Sequence, residues 1–522
     1  MSRSPVVQPR VSPSSMDRAG DQAGGWWHAV PGAGVTLLIV GAAVACSVRG
    51  TGDPLTWFLL ALSPFVLRSV ISVENRRQLI GRVADRWREL EQFARFPGPI
   101  PWIAAALFAG VPALLLFLFD DRTIGAGDTA PVIPTAVSLV REGNWDLNEY
   151  FGAAARQREL PYYVARRPSG IYSTYPAGMV VFAAPVAAAA HLVGADFRSE
   201  IVYVRLEKWT AAWVAAGCLT LFFLLAVQRT NPEAALMTTA LLGTGSVLYS
   251  TVGQALWQHG GVIFWTLLIL VLECRPKHAP ADGLAMLVQA VAAACMVACR
   301  LSSALILMPV GIWVLLRAPR RGIVTIGLAA LAYAPWAWLY HDVYGTPFGP
   351  STTQLGALAW TTAWWVPLAG ILVSPARGLL VYQPWLLLGL VVYLSRLRRS
   401  LPAVDPEREP WGWTGLLLTV VVLHLGLVAS WRCWWGGHCW GSRLLAEVVP
   451  LLALLCVRPI GLLWQTLGGR RAVVWTAALA FLLHFSAVHY YANNWNTTHD
   501  VDRDPAKLWD WKDAPFLNVT FQ

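Results

Sequence analysis

Residues Trp209 to Val227 read WTAAWVAAGCLTLFFLLAV, an apolar run that no charged side chain interrupts. A helix needs roughly 20 apolar residues to cross the hydrocarbon of a bilayer, whereas a barrel strand needs about 10 that alternate with polar ones. The run therefore predicts a membrane-spanning α-helix. The rest of the chain agrees with it: of 522 residues 56% are hydrophobic and 13% charged, and mean hydropathy is +0.49, too apolar for an ordinary water-soluble fold. Comparable runs lie at about 33–49, 54–72, 101–119, 235–251, 257–273, 284–299, 301–317, 323–340, 379–395, 411–430, 443–458 and 472–489. Together they predict an all-α, polytopic helical bundle with about 11 core crossings and two N-terminal ones.

Basic residues set the expected orientation. Arg229, Arg275 with Lys277, Arg317 with Arg320 and Arg321, Arg396 with Arg398 and Arg399, and Arg470 with Arg471 all fall in connections on one side of this threading, the cytoplasmic side by the positive-inside rule. The segment bearing Arg76, Arg77, Arg82, Arg86, Arg88 and Arg95 belongs there too. It reads equally as an amphipathic helix on the inner leaflet, with Leu79, Val83, Leu90 and Phe93 to one side, or as a solvated connector. Residues 176–193 and 357–373 are also apolar, but a crossing at either would break the alternation of charge. They are expected at the outer interface. The non-cytoplasmic parts are then 120–208, 341–378, 431–442 and the tail from about 490.

The expected organisation is a disordered cytoplasmic tail over 1–32 without a cleavable signal, a helical hairpin and basic segment over 33–100, a transmembrane catalytic domain over 101–490 with its large outer loop at 120–208, and a non-cytoplasmic tail over 491–522. Many of the 28 tryptophans cluster at ends of apolar runs, as in Trp26-Trp27, Trp364-Trp365 and Trp434-Trp435, which is how interfacial belts look. The net charge of +10 is not expected to serve nucleic acid, because no basic run with stacking aromatics stands outside the membrane-flanking segments. Six of the eight cysteines lie in or beside apolar runs and are read as packing residues. Cys433 and Cys439 would face an oxidising compartment, which leaves a disulfide between them open.

Polar residues gather in the outer segments. The loop from 120 is far longer than the usual helix connection, and long loops usually carry function. It begins Asp120-Asp121-Arg122 and continues Gly125-Ala126-Gly127-Asp128-Thr129. A carboxylate just outside a membrane helix, partly shielded from water, becomes a better proton acceptor near neutrality; Asp is also a favoured helix cap, and Asp128 reads equally as either. Arg166-Arg167-Pro168-Ser169-Gly170-Ile171-Tyr172-Ser173-Thr174-Tyr175-Pro176-Ala177-Gly178 follows, either an interfacial anchor or a seat for an amphiphile whose polar head meets Arg166 or Arg167. Trp257-Gln258-His259, Arg300 between two apolar runs, and Arg432-Cys433-Trp434-Trp435-Gly436-Gly437-His438-Cys439-Trp440-Gly441-Ser442-Arg443, with Glu447 one turn beyond, are expected on the same side. A charge at the end of an apolar helix is a functional candidate by default, so Arg300 is the leading cation, the alternative being a hairpin anchor. His259 and His438 have no zinc-ligand spacing and are more often belt residues than ligands.

The order of these features resembles the polytopic glycosyltransferases of the GT-C class, most closely the bacterial relatives of protein O-mannosyltransferases and of the lipid A aminoarabinose transferase. The resemblance covers roughly residues 101–490. It rests on the helix ending in Asp120-Asp121, Gly127-Asp128-Thr129, Tyr172-Ser173-Thr174-Tyr175-Pro176-Ala177-Gly178, Leu256-Trp257-Gln258-His259-Gly260, Cys299-Arg300-Leu301-Ser302, Ser374-Pro375-Ala376-Arg377-Gly378-Leu379-Leu380-Val381-Tyr382 and the Trp-rich run ending in Arg443. It implies an enzyme of the bacterial inner membrane that moves a hexosyl or pentosyl group from a polyprenyl-phosphate donor to a lipid, glycan or protein acceptor outside the cytoplasm. Asp128 then matches the catalytic acid of the first outer loop, with Asp120 and Asp121 as rivals. Arg300 matches a donor-phosphate ligand, with Arg377 and Arg443 as second contacts and Tyr175, His259, Tyr382 and His438 as further substrate-binding positions. Gly-Asp-Thr departs from the paired carboxylates of better-known members, which leaves open which acid is the base. No cofactor is expected, and a divalent cation is not favoured with one carboxylate in place. The alternative is a transporter or flippase of lipid-linked substrates, against which stand the lack of internal repeats and the concentration of charge at the outer face.

Overall fold

A computed structural model describes residues 103, 105–119, 123–157, 160–274, 282–350, 360, 363–398, 411–490 and 494–518. All of them belong to one unit that runs from Arg86 to Gln522. The apolar runs expected at 33–49 and 54–72, the basic segment between 76 and 95, and Asp120 and Asp121 lie outside the described residues.

Each apolar run from 101 onward contains a helix. After a π-helical turn at Ala106–Gly110 come α1 (Val111–Leu118), α2 (Val132–Arg141) and α3 (Asn148–Gln157). A short antiparallel hairpin, β1 (Val164–Arg167) with β2 (Gly170–Ser173), pairs Val164 with Ser173. Then follow α4 (Val180–Leu192), α5 (Glu200–Val227), α6 (Pro232–Thr244), α7 (Gln258–Glu273), α8 (Asp282–Cys299), α9 (Ala304–Arg317) and α10 (Pro319–Tyr344). The second half holds α11 (Trp365–Val373), α12 (Leu379–Tyr382), α13 (Pro384–Arg398), α14 (Trp411–Ser430), α15 (Val449–Trp464), α16 (Leu467–Tyr490) and α17 (Asn494–Thr498). The described residues are thus mostly helical.

Among the described residues five helices are long and apolar enough to cross a membrane: Glu200–Val227, Asp282–Cys299, Pro319–Tyr344, Gly412–Ser430 and Leu467–His489. Their packing differs sharply. The apolar stretch of α5 is 78% buried and that of α10 only 6%, so α5 is the central helix and α10 a peripheral one. Leu331 and Trp338 on α10 are 70% and 72% exposed. A continuous apolar surface of that kind is stable against lipid and not against water.

Local chemistry explains the helix ends. At the start of α6 the Asn231 side chain accepts from the Ala234 N–H at 2.8 Å, and Pro232 fills the first turn where no N–H is needed. Helix α10 stops at Gly345, whose φ of 75° and N–H to the His341 carbonyl form a left-handed cap. The chain over 176–193 forms a helix of 13 residues, about 20 Å long at 1.5 Å per residue and short of the roughly 30 Å of hydrocarbon. It packs on α2 and α5. The expected boundary at 208 shifts, because α5 begins at Glu200 and its first two turns precede the apolar run.

Two ends of the bundle differ in chemistry. At one, Arg321 pairs with Glu273 at 3.0 Å and with Asp282 at 3.7 Å, Arg229 stacks on Trp413 at 3.8 Å, and Arg317 lies over Trp313 at 4.5 Å. These are the expected basic connections, gathered where α7 and α9 end and α8, α10 and α14 begin. The long first loop, residues 431–443 and the C-terminal segment meet at the other end. There Trp495, Val501, Leu508 and Ala514 are buried and Asp502 accepts from the Trp435 indole N–H at 2.7 Å, so the expected tail is a packed cap.

Candidate functional site

The segment joining α6 to α7 is irregular yet buried: a π-helical turn at Leu248–Val252, then turns through Gly253 and Gln254 to Trp257. Buried backbone of this kind must find partners. The Gln254 amide donates to the Tyr249 carbonyl at 2.9 Å and accepts from Lys208 Nζ at 2.7 Å, while Glu207 accepts the Leu256 N–H at 3.2 Å. The Trp257 indole N–H then reaches the Ile124 carbonyl at 3.0 Å. That bond fastens the first loop to the start of α7.

Within the loop, Ala126 O accepts the N–H groups of Thr129 and Ala130, both at 3.0 Å, and the Gly127 N–H donates to the Tyr162 hydroxyl at 3.2 Å. A Cβ on Gly127 would meet the end of the Tyr162 ring, so the tyrosine lies directly on the backbone and would have to move aside for any other residue. The turn presents Asp128 to Arg443. Arg443 Nη1 donates to Asp128 Oδ2 at 3.1 Å and Nη2 to the Gly436 carbonyl at 2.6 Å, and the guanidinium lies over the Trp257 ring at 4.5 Å. The two side chains are 19% and 15% exposed, shielded but reachable. Among the described residues Asp128 Oδ1 has no hydrogen-bond partner. Burial, and next to it the Asp128 charge, push the Tyr175 phenol up to about 12, so Tyr175 remains a donor at neutral pH beside that carboxylate.

A second set lies next to the first. Glu447 is buried and its carboxylate is shared: Oε1 is 3.2 Å from Arg300 Nε and 3.1 Å from His259 Nδ1, and Oε2 is 3.2 Å from His424 Nε2. Arg300 Nη1 is 2.9 Å from His259 Nε2. The sets are joined by sequence as well as space, since Trp257 and His259 are two residues apart and Arg443 and Glu447 one helical turn. Asp128 and Arg300 are therefore brought to one end and one neighbourhood, through Arg443, Trp257 and His259.

Other expected site residues are placed differently. Arg377 is 2% exposed, and its guanidinium is taken up by carbonyls: Trp435 O at 3.0 Å, Ala376 O at 2.9 Å and Gly437 O at 3.0 Å, with Asn496 at 3.5 Å. It ties the Trp-rich loop to the C-terminal cap. Tyr382 is buried, donates to the Pro375 carbonyl at 3.1 Å and packs on Trp440 and Phe516. His438 stands on the exposed rim, 3.9 Å from Asp500 and 3.8 Å from Asp502. Among the described residues this trio alone offers three ligand atoms, within 4.8 Å of one another, that could hold a metal ion. Cys433 and Cys439 are both free thiols.

No protein-family model matches the chain, and no curated protein matches it either. The site is defined by its geometry. Beside the first loop lies a narrow crevice of ≈ 20 Å³, lined among others by Pro131, Val132, Trp145, Pro176, Tyr340 and Tyr344, and Arg167 stacks on Tyr344 at 5.6 Å. Its walls are apolar and aromatic, and the Arg167 guanidinium beside them suits an anionic group at its mouth. Two participants were not expected as site residues: Glu447, noted only for its position near Arg443, and His424. The available signal for His424 was an ionisable side chain in the middle of the apolar run 411–430.

Proposed function

We propose that this chain is a membrane glycosyltransferase of GT-C type that moves a sugar from a polyprenyl-phosphate donor to a lipid, glycan or protein acceptor at the outer face of the bacterial inner membrane. The observation that carries this is the meeting of Asp128, Arg443 and the Arg300 cluster at the end of the bundle opposite the basic connections. Positive-inside topology makes that end the outer one, and about 11 crossings after residue 100, with two before it, complete the threading.

In this scheme the acceptor hydroxyl oxygen attacks the anomeric carbon as the bond from that carbon to the phosphate oxygen breaks. Asp128 takes the hydroxyl proton through Oδ1 while Arg443 holds Oδ2. Arg300 compensates the charge that returns to the departing polyprenyl phosphate, a fixed cation in a shielded site being worth far more there than in water. The lipid chain runs along the outside of the bundle, past the mouth of the crevice between α2, α4 and α10, toward the leaflet. The scheme draws on these residues alone and calls on no metal.

The test is to incubate the purified protein in lipid nanodiscs with a panel of radiolabelled polyprenyl-phosphate sugars and score transfer or hydrolysis. Label leaving the lipid with at least one donor is the expected result. Translocation of intact labelled lipid across proteoliposomes, without cleavage of any donor, would instead make the protein a flippase.

A further inference from the structure

We propose that Glu447 is a positioning residue that holds Arg300 in the geometry needed to receive the donor phosphate; this rests on the glycosyltransferase reading above. Arg300 sits at the break between α8 and α9, where the chain leaves the helix in extended conformation and re-enters through a short 3-10 turn at Leu301–Ser303. No regular structure dictates the direction of its side chain there. A free arginine carries high rotamer entropy that binding would have to freeze. Three contacts freeze it in advance: Nε faces Glu447 Oε1 at 3.2 Å and Ser302 Oγ at 3.3 Å, and Nη1 faces His259 Nε2 at 2.9 Å. Among the described residues Nη2 has no hydrogen-bond partner, and the side chain is 18% exposed. The guanidinium is thus held at Nε and at Nη1, and Nη2 is left for an anionic oxygen to approach.

Glu447 is in turn fixed. His259 from α7 holds Oε1 through Nδ1 at 3.1 Å, while His424 Nε2, hydrogen-bonded to the Leu444 carbonyl at 2.9 Å, stands 3.2 Å from Oε2, which has no hydrogen-bond partner among the described residues. A buried carboxylate needs a compensating cation, and Arg300 is the arginine that reaches it. Its place one turn after Arg443 couples the two cations of the site: the short 3-10 segment Arg443–Leu445 carries the partner of Asp128 at its start and leads directly to the partner of Arg300. One short segment sets the positions of both guanidiniums. Glu447 itself lies behind Arg300, wholly buried, and touches no substrate in this arrangement.

The experiment compares Arg300→Ala, Glu447→Gln and the double variant in nanodiscs, reading the affinity for undecaprenyl monophosphate, the donor's leaving group, by quenching of tryptophan fluorescence, together with KM for the donor and for the acceptor. Glu447→Gln keeps size and hydrogen bonding but removes the charge that orients Arg300. It is expected to weaken undecaprenyl phosphate binding and raise donor KM roughly tenfold, as loss of a charge-assisted bond does, with acceptor KM unchanged. The double variant is expected to match Arg300→Ala alone, since both act on one contact. Glu447→Asp, which retains the charge, is expected to recover part of the affinity; thermal melting of each variant identifies any that fails to fold, and Glu447→Asp then carries the comparison. If Arg300→Ala weakens phosphate binding while neither Glu447 variant does, this proposal is wrong and the function stands. If Arg300→Ala leaves phosphate binding intact, the assignment of Arg300 to the donor falls first and this proposal with it.

Discussion

Replacing Asp128 by Asn is the substitution whose consequences the site fixes most tightly. Asparagine keeps an oxygen to accept from Arg443 Nη1, now 3.1 Å away, and Arg443 keeps its bond to the Gly436 carbonyl and its seat on Trp257. The pair is partly solvated, so loss of its charge should destabilise the fold by only about 1 kcal/mol. Proton abstraction is affected far more. An amide cannot take the acceptor proton, and removal of a general base typically lowers the rate by about 10²–10⁴, equivalent to roughly 3–5 kcal/mol in the barrier. The assay is a time course of sugar transfer under saturating donor, with the melting temperature and membrane yield measured on the same preparations. A large fall in kcat with nearly unchanged melting and donor KM is expected. Activity within about threefold of the parent would refute the role of Asp128 and move it to Asp120 or Asp121.

Three further outcomes follow from particular contacts. Arg377→Ala strips donors from the carbonyls of Trp435 and Gly437 and should destabilise the protein by roughly 3 kcal/mol or more, seen as lower thermal stability in detergent; a well-folded variant with only a raised donor KM would return Arg377 to the substrate. Gly178→Ala places a Cβ on the backbone of Ala298 and Cys299, where the Gly178 N–H donates to Ala298 O at 3.1 Å, and should cost about 1–3 kcal/mol and lower activity by displacing Arg300, while Gly327→Ala, which meets nothing within 4 Å, should do neither. Cys433 is exposed in the loop 431–442, so a membrane-impermeant maleimide should label it on intact cells and Cys433→Ser should abolish that label. Partial desolvation, and then the Asp502 charge, raise its thiol pKa above the ordinary value, which means a smaller thiolate fraction at neutral pH and labelling that accelerates as pH rises; a rate independent of pH between about 7 and 9 would contradict this.

The helices were legible because a long apolar run has one solution in lipid, and Trp209 to Val227 announces α5 without knowledge of any neighbour. Its true start at Glu200 was not, since Glu207 and Lys208 look like solvated flanks until Leu256 and Gln254 are found beside them. Asp128 and Arg443 were both visible as charges in loops between apolar runs. Their pairing was not, because residues 315 positions apart share no local pattern. Glu447, His424, His259 and Arg300 come from four separate segments, and only the rule that an ionisable group in an apolar helix needs a partner could have flagged the set. Arg377 illustrates the opposite error: a cation in a loop motif looks like a ligand for phosphate until its donors are found on Trp435, Ala376 and Gly437.

The most direct measurement is an experimental structure of the protein in nanodiscs with a bound, non-hydrolysable polyprenyl-phosphate sugar analogue. The phosphate is expected against Arg300 Nη2, with the anomeric carbon facing Asp128 and the prenyl chain leaving past Tyr344. Density for the phosphate at the opposite end of the bundle, among Arg229, Arg317 and Arg321, would contradict the account.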